Sequence, residues 1–87
     1  MKRKEGLLIK KMGSEYIVVP IGKAAADFNG MMTINETAKY LFELLLEDQT
    51  EESLLQALTE TYNIDEATAR KDIASFLKLL NDKQLLS

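Results

Sequence analysis

The side chains able to do covalent or acid–base chemistry in this 87-residue chain are few and poorly matched to one another. Histidine and cysteine are both absent. Thiolate nucleophiles, disulfides and thiolate metal sites are therefore excluded, as are the commonest general base and metal ligand. Ser14, Ser53, Ser75 and Ser87 have no histidine to activate them. The glycines at 6, 13, 22 and 30 do not have the spacing of a phosphate-cradling loop. Carboxylates cluster as Glu47-Asp48, Glu51-Glu52 and Asp65-Glu66, which a hard cation could use. Each pair, however, falls at the end or in the first turn of an expected helix, where the dipole and solvent account for acids. The reading is a non-catalytic protein with no cofactor and no metal.

Binding surfaces are better supported. Gly30-Met31-Met32-Thr33-Ile34 is low in charge and reads as a strand, the last before a helical region, which places it at a sheet edge. An exposed edge offers unpaired amides and carbonyls that an extended peptide can join as an added strand. Met31 and Met32 alternate faces, so either one enters the core and the other points outward, where a polarisable, adaptable side chain suits varied partners, or both serve packing. Along residues 66–81 the apolar stripe is Ala69, Ile73, Phe76, Leu77 and Leu80. One flank of it collects Ala67, Arg70, Ala74, Lys78 and Asn81, a shallow slot of alanines with a positive rim. Pattern alone is better met by an ordinary amphipathic helix with solvated cations.

The elements that must hold these surfaces follow from local rules. Residues 7–12 and 15–20 are short β-branched and apolar runs joined by Gly13-Ser14, a two-residue hairpin turn. Pro20 and Gly22 stop the second strand, Lys23–Asn29 reads as a loop with Asn29-Gly30 as a further turn, and 30–34 is the third strand. Asn35, Thr50 and Asp65 are the N-caps of helices expected over 36–48, 51–62 and 66–81. The core stripes of the first two are Ala38, Leu41, Phe42, Leu45 and Leu46, then Leu54, Leu55, Leu58 and Tyr62. Gln84-Leu85-Leu86 reads as a tail that covers the core. The order βββααα with short links predicts one α+β domain over 1–87, a three-stranded antiparallel sheet followed by a three-helix bundle. Helices 2 and 3, joined by Asn63-Ile64-Asp65, have the form of a helix-turn-helix, and the sheet beside them makes the unit winged-helix-like.

Charge and hydropathy limit the setting. Residues 1–34 carry six basic and three acidic side chains, residues 35–87 five basic and eleven acidic. A protein that lives on phosphate backbones needs a basic surplus, so nucleic acid is not the expected partner. No apolar run approaches the roughly 20 residues of a membrane span, and the basic start leads into too few apolar residues for a secretory signal. A cytoplasmic location is expected. The oligomeric state, monomer or dimer, is left open by the sequence.

The residue order also resembles a known family. Asp27-Phe28-Asn29-Gly30, Thr33-Ile34-Asn35-Glu36-Thr37-Ala38 and Tyr40-Leu41-Phe42-Glu43-Leu44-Leu45 are similar to the PqqD family. The similarity runs on through Thr50-Glu51-Glu52-Ser53-Leu54, Tyr62-Asn63-Ile64-Asp65 and Ala69-Arg70-Lys71-Asp72-Ile73 to Phe76-Leu77 and Leu85-Leu86. The resemblance implies a RiPP recognition element: a winged-helix-like module that binds the leader of a ribosomally made precursor peptide and presents it to a modifying enzyme, typically radical-SAM. It implies that the leader lies along the third strand and against the third helix. Carried onto this chain, that selects Gly30, Met31, Met32, Thr33 and Ile34, with Ala67, Arg70, Ala74 and Lys78. The chain departs from the family in lacking its frequent helix-1 tryptophan near Phe42, and in having Asp82-Lys83-Gln84 where a glycine often precedes the final Leu-Leu.

Two functions are thus expected in order. The first is a peptide-binding adaptor in which Arg70 and Lys78 read acidic leader residues. The alternative is a winged-helix DNA-binding regulator with helix 3 in the groove, opposed by Asp65, Glu66 and Asp72 on or beside that helix.

Overall fold

The computed structural model describes residues 1–23 and 31–86. The expected turn at Asn29-Gly30, and Gly30 as a site residue, lie outside the described residues. Strands β1 (Leu7–Met12) and β2 (Glu15–Pro20) form a hairpin in the register Met12↔Glu15 to Leu7↔Pro20. Gly13 supplies the left-handed φ of +64° that the two-residue turn requires. Strand β3 (Met32–Ile34) pairs antiparallel with β2, so the sheet order is β1-β2-β3. Three helices follow among the described residues: α1 (Glu36–Leu44), α2 (Glu51–Thr61) and α3 (Glu66–Asp82).

Each helix starts where a short polar side chain satisfies first-turn amides. Asn35 accepts from the Ala38 N–H at 2.9 Å and Asp65 from the Thr68 N–H at 3.0 Å. Thr50 and Ser53 form a reciprocal capping box. The ends are less local. Helix α1 stops at Leu44, four residues before the expected Asp48. The reason is that its last carbonyls find other donors: the Gln49 side chain donates to Leu44 O, and the Arg3 N–H to Leu45 O. Leu46 N–H and Glu47 N–H then tighten into i→i−3 bonds. Leu46, expected on the core stripe, consequently falls beyond the helix and is exposed.

Helix α3 closes with a Schellman arrangement: Leu85 N–H donates to Leu80 O and Gln84 N–H to Asn81 O. Gln84 takes the left-handed position at φ +59°. That turn carries Leu85 into the core, where it is buried together with Leu80. The core is built from the inner sheet face (Val18, Met32, Ile34), the three helix stripes and Leu85. Phe42 lies at its centre, edge-to-face with Phe76 at 6.2 Å between centroids.

The basic N-terminal run is partly internal. Arg3 pairs with Leu86 as an isolated antiparallel bridge, and the Lys4 N–H donates to Leu85 O. The Arg3 guanidinium sits 4.5 Å over the Phe42 ring, and its burial lowers the guanidinium pKa. Residues 1–4 therefore strap the C-terminal tail to the end of α1.

Candidate peptide-binding site

Strand β3 has β2 on one side and, among the described residues, no strand on the other. Its residues alternate as the period of two requires: Met32 and Ile34 are buried, Thr33 is exposed, and Met31, just before the strand, is 68% exposed. The strand begins at Met32 rather than residue 30.

The chain leaves β3 at Ile34 and enters a groove at the next residue. Asn35, Thr37, Ala38 and Leu41 line one wall, and Asp72, Ser75, Phe76 and Leu79 line the other, enclosing about 220 Å³. That is smaller than the roughly 300–1,000 Å³ of a small-molecule pocket and suits one or two inserted side chains. The walls exist because α1 and α3 each present a stripe: Asp72, Ser75, Phe76 and Leu79 recur at three- and four-residue spacing on α3. The floor is apolar, with Leu41 and Phe76 buried. The Asn35 carbonyl is already committed to the cap, accepting from Ala38 N–H and from the Thr37 hydroxyl.

The α3 residues singled out from sequence do not line this groove. Ala67, Arg70, Ala74 and Lys78 are all exposed. Arg70 and Asp72 are separated by roughly 200° around the helix, and Arg70 faces α2 instead. Its guanidinium donates to Glu52 at 3.1 Å and to Glu66 at 3.3 Å, and the Glu52 hydrogen bond raises its pKa. Ala67 and Ala74 share that side. Lys78 stands nearer the groove flank, three residues from Ser75, but its ammonium is paired with Asp82 at 3.0 Å. The positive rim is thus offset by carboxylates on the same protein. Projection of the helix finds both flanks of the stripe but cannot say which neighbour each one meets, so it does not single out Asp72, Ser75 and Leu79. Their i, i+3, i+7 spacing was the available signal.

The remaining carboxylate clusters have local explanations. Asp48 pairs with the Met1 ammonium at 2.6 Å. Asp65 accepts from the Thr68 hydroxyl and N–H, which lowers its pKa. No group of three or more potential metal ligands occurs among the described residues, and no helix of the described residues is long and apolar enough to cross a membrane.

Comparison with known proteins gives the lineage of this arrangement. No curated protein matches the chain. A solved structure, TbiB1 in complex with the TbiA(beta) leader peptide, aligns over 100% of this chain and 95% of that one with a TM-score of 0.72. The two are 21% identical, so the shared property is the fold of three antiparallel strands and three helices. The family model for coenzyme PQQ synthesis protein D matches residues 11–86, so the chain belongs to the PqqD family.

Proposed function

We propose that this PqqD-family chain is a non-catalytic adaptor that captures the leader of a ribosomally synthesised precursor peptide and presents it to a modifying enzyme. The observation that carries the reading is a sheet edge, β3, running directly into a groove between α1 and α3. It is supported by family membership and by the leader peptide bound to the similarly folded TbiB1. In this reading the leader adds as a strand along residues 30–34. Main-chain pairing supplies affinity, and side chains lodged between α1 and α3 supply selectivity. Met31 and Thr33 offer contacts on the outer side, while Met32 and Ile34 hold the strand to the core. We assign the α3 contact to Asp72, Ser75 and Leu79 in preference to Ala67, Arg70, Ala74 and Lys78. The enzyme partner, radical-SAM in the family's usual arrangement, would meet the chain elsewhere on its surface, in the cytoplasm where precursors are made.

A DNA-binding role gains no support: Arg70 and Lys78 are paired with carboxylates and Asp72 is not paired with a cation. Titration with synthetic leader segments of short peptides encoded beside the gene, against duplex DNA as the parallel sample, tests the proposal. Saturable leader binding with no DNA response is expected. DNA binding that weakens steeply with salt, with no response to any leader, would overturn it.

A further inference from the structure

The groove is bordered by a charge opposite in sign to a positive rim. Among the described residues, Asp72 is the one charged side chain of its lining. Its carboxylate makes no hydrogen bond or ion pair with any described residue. Other acids of the three helices are differently engaged: Glu52 and Glu66 hold Arg70, Asp82 holds Lys78, and Glu43 holds Lys39. Among the described residues no cation lines either wall, and the Ser75 hydroxyl three residues on engages none of them. Beside these groups the floor is the buried Leu41 and Phe76 with the half-buried Leu79 and Ala38.

We infer that Asp72 makes this groove selective for a peptide segment in which an apolar side chain is flanked by arginine or lysine. The inference rests on the peptide-capture reading and adds to it the chemistry of the captured segment. The apolar side chain fills the floor. The neighbouring cation reaches the rim, where a carboxylate with both oxygens open can accept from an ammonium or, in a forked pair, from a guanidinium. An acidic residue at the same place meets an uncompensated like charge and is disfavoured, which discriminates partners even where the attractive pair adds little affinity.

The test is panning of a displayed library of random peptides against the wild-type protein, Asp72→Asn, Asp72→Lys and the control Arg70→Ala. Folding of all four is checked by circular dichroism. Wild-type and Arg70→Ala pools are expected to enrich lysine or arginine next to an apolar residue, and Asp72→Lys to enrich acids instead. A synthetic peptide from the wild-type pool should lose about 3-fold in affinity against Asp72→Asn, the scale of a solvated ion pair, and about 10-fold or more against Asp72→Lys, where attraction becomes repulsion. Binders whose charge is the same for Asp72→Lys as for wild type would overturn the inference and leave peptide capture standing. Failure of folded wild-type protein to select any peptide would overturn both.

Discussion

The two flanks of α3 carry charges of opposite fate. On the α2 side, Arg70 is held by Glu52 and Glu66, so its charge is spent on joining two helices. On the α1 side, Asp72 stands at the lip of an apolar groove with no partner among the described residues. By pattern the cation is the conspicuous recognition residue; in three dimensions it is answered by two carboxylates, while the acid borders the groove. A charge on a helix is available for recognition only if the neighbouring element does not answer it, and the helix's own pattern carries no record of that neighbour.

The largest effect is expected at the seam between the flanks, where Phe76 is buried against Phe42. Phe76→Ala should destabilise the protein by about 3–5 kcal/mol, seen as an early denaturant midpoint, and should erase the groove together with the α2 contact. Thr50→Ala should cost about 1 kcal/mol by opening the capping box of α2. It loosens the Arg70 side alone, so peptide affinity in the folded protein should not change. Gln84→Gly should act in the other direction. The left-handed φ at Gln84 is strained for a residue with a Cβ, and relieving it should raise stability by about 0.5–1 kcal/mol net of the added unfolded-state entropy, read as a higher melting temperature.

The smallest effect concerns acid. The Thr68 hydroxyl, and then its N–H, hold the Asp65 carboxyl below its ordinary value of 3.8. A group whose folded pKa is depressed stabilises the protein above the unfolded pKa and ceases to do so as pH falls through the folded one. Stability should therefore decline as pH drops below about 4, and the decline should be shallower in Asp65→Asn. An acid limb unchanged in that variant would assign it to other carboxylates, Asp48 first.

What was legible in the sequence was what neighbours in the chain decide. The caps Asn35, Thr50 and Asp65, the Gly13 turn and the in–out alternation of Met32 and Met31 all follow from interactions within a few residues. The departures come from contacts far apart in the chain. Helix α1 ends early because Gln49 and the N-terminal strap take its last carbonyls. Arg3, part of the basic N-terminal run, is buried over Phe42 because that run pairs with the distant tail residues Leu85 and Leu86. The absence of the family's frequent glycine before that tail proves informative too, since Gln84 occupies the left-handed position a glycine would favour. That the Asp72 flank walls a groove is likewise beyond the helix's own pattern, because the opposite wall belongs to α1, some thirty residues away.

The central claim is that peptide is taken at the β3 edge and on the α1-facing side of α3. A backbone-amide NMR titration with a binding leader segment tests it most directly. Saturable shifts at Met31–Ile34 together with Asp72, Ser75 and Leu79, while Arg70 and Ala74 stay still, are the predicted result. Shifts confined to the Ala67, Arg70 and Ala74 side, with β3 unmoved, would contradict it.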